Sequence, residues 1–145
     1  MEIRPVRQED LPRCAQLYTE VFSAPPHQEG WTYGTALEHL RELWAACSHG
    51  CFVAEQHGLV VGFAFCSFHT WWVGKVMRIA ELVVDFRLQR HGIGTTLLEY
   101  CVRAGREMHG IAAVDVVTPR TIPALEFYSS HGFQSAGREL LSKRL

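Results

Sequence analysis

The sequence lacks several features that would place it in a common functional class. Its formal net charge is −1, so it has no basic excess of the kind that nucleic-acid-binding domains carry. The longest largely apolar stretch, Leu59 to Phe68, is roughly half of the ~20 residues that a membrane-spanning helix needs. The first residues include Glu2, Arg4 and Arg7 in place of the apolar core of a signal peptide. These absences predict a cytoplasmic protein with neither nucleic-acid nor membrane partners.

Close cysteine pairs are also missing. The five cysteines stand at positions 14, 47, 51, 66 and 101, an odd number without the Cys-x-x-Cys spacing of a zinc ribbon. The cluster Cys47, His49 and Cys51 has ligand-type residues but no fourth ligand nearby, and we interpret it as a helix end leading into a strand. We therefore expect reduced, mostly buried thiols and no metal requirement.

The bulk composition favours one folded domain over residues 1–145. The chain has 145 residues, of which 48% are hydrophobic and 20% charged, values that are ordinary for a folded globular protein with a single core. It contains no internal repeat, linker or low-complexity segment. Any anion-binding site in a chain of such balanced charge must be local.

The stretch from Glu81 to Leu98 predicts such a local site. An apolar strand is followed by a short basic crossing, by Gly92 and Gly94, and then by an amphipathic helix. Glycines let the main chain approach a bulky anion, and the first N–H groups of a helix have no carbonyl partners within it. We interpret the stretch as a pyrophosphate cradle, although a glycine-rich turn without a ligand would leave the same short pattern.

Two other phosphate motifs are excluded. A dinucleotide-binding fingerprint requires a third glycine where Leu97 stands, and a P-loop requires a Gly-Lys-Ser/Thr tripeptide that the chain does not contain. The remaining pattern is Gln89-x-x-Gly92-x-Gly94.

Periodicity predicts an α/β (α+β) fold. The predicted order is an edge strand near residues 2–7, helices near 8–22 and 35–47, a hairpin of 51–55 with 59–68, and a bend at 69–74. A strand at 75–84, a helix at 92–108, a parallel strand at 112–117, a short helix before Gly132 and a final hairpin from Phe133 follow. This order predicts a mixed central sheet of about seven strands with helices on both faces.

Three segments together resemble the GNAT acyl-coenzyme A N-acyltransferase superfamily. They are Glu81-Leu-Val-Val-Asp85, the glycine pattern at 89–94, and Ala124-Leu-Glu-Phe-Tyr128-Ser-Ser-His-Gly132-Phe133. The resemblance extends over about residues 1–145 and is most specific at 79–133. It implies a GNAT-like fold, acetyl-coenzyme A as co-substrate and a single N-acetyltransferase domain. Homodimers are common among similar proteins.

The resemblance also implies a cofactor site. It assigns coenzyme A to the gap between two splayed strands, with a backbone N–H near Val83 directed at the thioester carbonyl. Many relatives have an asparagine where this chain has Thr121, which puts one contact in doubt. Arg120 is a candidate for the adenosine end. The implied contacts are Leu82, Val83, Val84, Gln89, Arg90, His91, Gly92, Ile93, Gly94, Thr95 and Thr121.

Two side chains match the catalytic positions of the family. Glu81 is the candidate base that removes a proton from an ammonium substrate, directly or through water; its alternative role is a strand-end ion pair with Arg78 or Arg87. Tyr128 is the candidate acid for the departing thiolate, and its alternative is a core tyrosine.

The acceptor is expected beside two aromatic segments, with Trp31, Tyr33, His69 and Trp71 as candidate contacts. Similarity to aminoalkylphosphonate and aminoglycoside N-acetyltransferases suggests a primary amine on a small molecule. The alternatives are a protein N-terminus or lysine as acceptor, or an acyl-coenzyme A-binding sensor without turnover.

Overall fold

A computed structural model describes residues 1–121 and 123–145. Its strands and helices are β1 (Glu2–Pro5), α1 (Leu11–Ser23), α2 (Tyr33–Ala46), β2 (Cys51–Gln56), β3 (Leu59–Trp71), β4 (Gly74–Val84), α3 (Ile93–His109), β5 (Ala113–Val116) and α4 (Ala124–Ser130). Single 3-10 turns at Gln8–Asp10, Ser48–Gly50 and Phe86–Leu88 connect some of them. The predicted succession of elements is confirmed as far as α4. Ile122, in the predicted loop before α4, lies outside the described residues.

The five strands form one mixed sheet in the order β1-β2-β3-β4-β5. Neighbours are antiparallel from β1 to β4. The chain between β4 and β5 contains α3, and these two strands pair in parallel, as expected for a strand-helix-strand unit. β1 lies at the edge of the sheet, where a proline such as Pro5 is tolerated although it has no N–H group to donate.

Helices cover both faces of the sheet, as predicted. The apolar sides of α1 and α2 pack on one face and those of α3 and α4 on the other, because each helix has one apolar stripe to bury. The first layer includes Leu11, Leu17, Leu40, Phe63, Phe65 and Val83. The second includes Ala64, Cys66, Met77, Ile79, Leu97 and Tyr128.

A β-bulge at Ala80 shifts the alternation of β4, so that side chains after the bulge point to the opposite face from the one that strict alternation predicts. Phe65 pairs with Glu81 and Cys66 with Ile79, so Ala80 is the extra residue between the two pairs. Strict alternation would put Ile79 and Glu81 on the same face. Instead Ile79 packs under α3, and Glu81, paired with Phe65, lies on the side of α1 and α2.

The predicted final hairpin is wrong for the described structure, in which no residue after Ser130 forms a strand. The sheet therefore has five strands instead of about seven. Leu140 and Leu141 are adjacent, so in a strand they would point to opposite faces and no single apolar face would form. Both side chains are exposed.

The predicted bend after Phe68 is also shorter than expected. β3 continues through His69 to Trp71, which pairs with Gly74, and only residues 72 and 73 form the turn. Thr70 pairs with Lys75, whose ammonium group donates to the Thr70 hydroxyl at 3.0 Å. Only the last two pairs, Thr70 with Lys75 and Trp71 with Gly74, lie beyond the core, since Val76 is already buried.

The cysteines are free and buried, as predicted. Burial raises the pKa of the Cys51 thiol to about 12, so this sulfur stays protonated. Within residues 1–121 and 123–145, no set of three ligand-type side chains could hold a metal ion. Likewise, none of the helices described has the length and apolar character to cross a bilayer.

Candidate active site

The site begins where β4 and β5 part. Their pairing runs from Val76 with Ala113 to Ile79 with Val116 and stops immediately before the bulge at Ala80. A cavity of about 240 Å³ lies at this gap. It is lined by Val21, Phe22, His27, Ile79, Ala80, Glu81, Leu82, Val84, Gln89, Gly94, Val116, Val117, Thr118, Pro119, Pro123, Ala124, Phe127 and Tyr128.

The last residues of β4 direct backbone groups into this gap. The N–H of Asp85 donates to the carbonyl of Val61 on β3 at 2.8 Å. Because N–H groups alternate along a strand, that of Val83 also points toward β3, and those of Leu82 and Val84 point toward the gap. The backbone N–H donor that the sequence predicted near Val83 is therefore that of Leu82 or Val84. The Val83 side chain is buried in the core.

Glu81 is held by two residues from the helical layer beside it. Its Oε1 accepts a hydrogen bond from the Tyr18 hydroxyl at 2.9 Å and lies 2.9 Å from Nε2 of His39. The Glu81 side chain is 15% exposed and lines the cavity. Burial, and next the negative charge of Glu81, raise the pKa of Tyr18 well above its usual value, so that hydroxyl remains a donor.

The alternative partners of Glu81 are engaged elsewhere. Arg78 forms a bidentate pair with Asp115 across β4 and β5, with its Nε 2.8 Å from Oδ1. Arg87 contacts Asp85 at 3.0 Å at the end of β4. The strand-end ion pair considered for Glu81 is therefore not formed.

Tyr128 reaches the same cavity from the opposite face of the sheet. It lies on α4 between the rings of Phe127 and Phe133, at centroid distances of 5.1 and 5.4 Å, and is 8% exposed. Burial, followed by the negative charge of Glu81, raises the pKa of its hydroxyl well above the usual value. The hydroxyl is therefore protonated at neutral pH.

A second cavity of about 140 Å³ lies at the glycine turn where the cradle is predicted, and it adjoins the first. The two share Val84, Gln89, Gly94 and Phe127. The other lining residues of the second are Leu88, Arg90, Gly92, Ile93 and Thr95. The two cavities together extend from the glycine turn to Glu81.

Gly92 begins the helix at the cradle. It is the N-cap of α3, with a left-handed φ of 83°, and its carbonyl accepts the N–H of Thr96 at 3.0 Å. The N–H groups of Ile93, Gly94 and Thr95 precede that first helical bond and have no acceptor within the helix. They can hold an anion, with the helix dipole behind them.

Side chains brace the cradle. The amide of Gln89 donates to the carbonyl of Val84 at 3.1 Å, and Nδ1 of His91 lies 3.0 Å from the carbonyl of Gln89. Arg90 is exposed with a φ of 66°, and the Thr95 hydroxyl lies 3.1 Å from Nε2 of His131. These contacts set the shape of the turn and leave its backbone N–H groups to a ligand.

Seven of the predicted contact residues do not line either cavity: Trp31, Tyr33, His69, Trp71, Val83, His91 and Thr121. His69 and Trp71 lie four and six residues along β3 from Phe65, the partner of Glu81, which places them roughly 13 and 20 Å along the strand. Tyr33 is exposed at the start of α2. Thr121 is exposed, and its carbonyl accepts the N–H of Leu125 at 3.3 Å. Arg120 pairs with Glu139 on the surface.

Sequence reasoning missed Tyr18 and His39. Tyr18 lies on α1 and His39 on α2, and neither residue was assigned a role from the sequence. Trp31, a predicted substrate contact, packs on both rings, with centroids 5.0 Å from Tyr18 and 5.2 Å from His39. The available signal was a hydroxyl at a buried helical position, since a buried hydroxyl requires a partner.

Comparison with known proteins agrees with this geometry. Residues 11–133 match the sequence model of the acetyltransferase (GNAT) family, which confirms the resemblance seen in the sequence. A mycothiol acetyltransferase from Acidothermus cellulolyticus is 28% identical over 88% of this chain and 42% of its own length. An N-alpha-acetyltransferase from Sulfurisphaera tokodaii is 31% identical over 73% of this chain and 66% of its own length. The chain thus spans less than two thirds of these relatives.

Solved structures share the fold. The aminoglycoside N-acetyltransferase AAC(6')-Iy in complex with CoA has a TM-score of 0.76 and 18% identity, with 99% of this chain and 93% of that one covered. A structure from Clostridium difficile, described as a possible acetyltransferase, has a TM-score of 0.82 and 17% identity, with 99% and 97% covered. At these identities the likeness concerns the fold alone.

Proposed function

Since the chain belongs to the GNAT acetyltransferase family, we propose that it moves an acetyl group from acetyl-coenzyme A to a primary amine of a small molecule, by direct attack in a ternary complex. One observation carries the proposal. Glu81 and Tyr128 line a single cavity from opposite faces of the sheet, and that cavity adjoins a turn of unpartnered backbone N–H groups. A proton acceptor and a proton donor thus flank one space beside an anion site.

The residues present fit coenzyme A. The N–H groups of Ile93, Gly94 and Thr95 suit a pyrophosphate, and the groups of Leu82 and Val84 that face the gap suit an amide-bearing chain. Acetyl-coenzyme A, when bound, supplies an acetyl group activated as a thioester. The remaining proposed contacts are Gln89, Arg90 and Gly92, which line the cavities, and His91 beside them; Val83 and Thr121 line neither cavity.

Glu81 acts as the base in this proposal. A neutral amine can attack a thioester and an ammonium group cannot, so one proton must first leave the acceptor. Oε1 of Glu81 already accepts from Tyr18 and lies beside His39, which leaves Oε2 to take that proton, directly or through water. A backbone N–H of Leu82 or Val84 stabilises the negative charge that develops on the carbonyl oxygen, a contribution of about 3 kcal/mol per donor.

Tyr128 acts as the acid. As the nitrogen–carbon bond forms and the carbon–sulfur bond breaks, its hydroxyl gives a proton to the sulfur. The nitrogen loses its second proton as the amide forms, and that proton restores the hydroxyl. Its buried position on α4 keeps it protonated between turnovers.

A peptide N-terminus is the second candidate acceptor. The N-alpha-acetyltransferase relative favours it, whereas the mycothiol acetyltransferase relative and the aminoglycoside N-acetyltransferase with the same fold favour a small molecule. Both acceptors use the same chemistry at Glu81 and Tyr128. The two acceptors differ in size, and we propose that Phe22 and His27, which line the cavity, contact the part of the acceptor beyond its amine.

The test is thiol release from acetyl-coenzyme A with a panel of small primary amines and short peptides. We expect release that depends on the amine, with a product heavier by one acetyl group. Tight binding of coenzyme A without turnover of any amine or peptide would contradict the proposal and favour a sensor. Preference for peptides over all small amines would correct the acceptor class only.

A further inference from the structure

The proposed base is held by two residues that do not themselves line the cavity. Tyr18 from α1 and His39 from α2 both approach the same oxygen of Glu81, Oε1, each at 2.9 Å. Glu81 lines the cavity, whereas Tyr18 and His39 lie behind it. No described side chain hydrogen bonds to Oε2, so that oxygen is the one available to an acceptor.

We propose that His39 is a positioning residue for Glu81 and that the charge on its imidazole controls the response of the reaction to pH. The inference rests on the proposed function. An ionised carboxylate only accepts hydrogen bonds, so Nε2 of His39 must carry a hydrogen to contact it. Tyr18 is an uncharged donor, whereas an imidazole can be a neutral donor or a cation, so His39 is the partner that can change the charge beside Glu81.

The two states of His39 have opposite consequences for the acceptor. With a neutral imidazole, Glu81 keeps its full negative charge, attracts an ammonium group and takes its proton. With an imidazolium 2.9 Å from Oε1, the pair is neutral overall, so the carboxylate attracts the ammonium less and is a weaker base. Acid should therefore weaken both acceptor binding and turnover.

The surroundings favour His39 over other titrating groups. Glu81 faces it from β4 and Tyr18 from α1, and the Trp31 indole covers its ring from the loop before α2. The Trp31 N–H donates to the Glu29 carboxylate at 3.0 Å, so Glu29 is a second negative charge near His39, separated from it by the indole. The His39 side chain is 28% exposed, so solvent reaches the imidazole while Nε2 contacts Glu81.

The kinetic test compares His39→Gln with His39→Ala over pH 5 to 9. Glutamine keeps an N–H donor that does not titrate, whereas alanine removes the donor. We expect kcat/KM of the wild-type protein to decline as pH falls from 8 to 5, because more of the protein then carries the imidazolium. His39→Gln should lose this decline and keep turnover at pH 8, and His39→Ala should lower kcat/KM about tenfold even at pH 8.

Two controls separate this role from a structural one. His57→Gln changes an exposed histidine in the β2–β3 turn and should keep the wild-type pH profile. Nitrogen-15 NMR of labelled histidines should show the His39 hydrogen on Nε2 at pH 8. A hydrogen on Nδ1 alone would overturn the positioning contact without reference to activity.

The outcomes also distinguish the two proposals. A wild-type protein that acetylates no amine or peptide overturns the proposed function, and the role of His39 with it. Turnover with an acid decline that persists unchanged in His39→Gln overturns the role of His39 and leaves the acetyltransferase proposal in place. Loss of the decline in His39→Gln, with the decline kept in His57→Gln, supports it.

Discussion

The glycine that begins α3 offers a direct test of the cradle, because the same helix provides its own control. Gly92 at the N-terminal end has a φ of 83° and Gly110 at the C-terminal end has a φ of 60°. At either position an added Cβ would meet nothing within 4 Å. The cost of alanine is therefore backbone strain alone, about 1–2 kcal/mol at each site.

Gly92→Ala and Gly110→Ala should thus lower stability similarly and differ in ligand binding. For a domain of this size, we expect the melting temperature of each to fall by roughly 3–6 °C in thermal unfolding. Calorimetric titration with coenzyme A should show about tenfold or greater loss of affinity for Gly92→Ala only, because a shifted turn misdirects the N–H donors, each worth about 1.5–3 kcal/mol to a charged acceptor. Unchanged affinity in Gly92→Ala, or an equal loss in Gly110→Ala, would refute the cradle.

Three further predictions concern the acid, a buried ion pair and the bulge. Tyr128→Phe should lower kcat with unchanged coenzyme A affinity in the thiol-release and calorimetric assays; equal rates would remove it as the acid. The hydrogen bond from Arg4 is the main cause that lowers the pKa of Asp10. The stabilisation that the Asp10 carboxylate provides is therefore complete above the ordinary carboxyl pKa of about 4, and it is lost as pH falls through the lowered pKa. Urea unfolding from pH 7 to 2 should show this loss, and Asp10→Asn should cost about 3 kcal/mol at pH 7. Deletion of Ala80 should keep the protein folded but weaken coenzyme A binding. Wild-type affinity in the deletion variant would contradict the role of the bulge in opening the gap.

Local patterns predicted most of the fold because they reflect local physics. The apolar stripe from Ile93 to Gly105 and the left-handed glycine at 110 determine the length of α3. The parallel pairing of β4 with β5 follows from the helix between them. The glycine turn at the proposed cradle was predictable for the same reason, since the direction of its backbone N–H groups depends on Gly92 and the helix start.

The side-chain constellation around Glu81 was not predictable in the same way. Along the chain, Glu81 is 63 residues from Tyr18 and 42 residues from His39. Nothing in the local sequence of the three residues indicates a contact. The nearby arginines were the obvious partners from sequence distance. Each instead pairs with another carboxylate, Arg78 with Asp115 and Arg87 with Asp85.

The bulge explains why the site could not be read from strand alternation. Ile79 and Glu81 should share a face by simple alternation, which would place the carboxylate in the layer of α3 and away from Tyr18 and His39. The extra residue at Ala80 puts Glu81 on the other face, and the pairing of β4 with β5 ends at Ile79, directly beside it. Bulges bend and twist the strand that contains them. One inserted residue therefore accounts both for the open gap and for the face on which the proposed base lies.

If Ala80 is deleted, Ile79 can still pair with Cys66 and Glu81 with Phe65, so both core layers keep their register. What the deletion removes is the local bend, and with it the reason for β4 to leave β5. The proposed base would keep its partners while the space in front of it closes. The fold and the chemistry thus make separate demands on this strand: the core requires its register, and the site requires its irregularity.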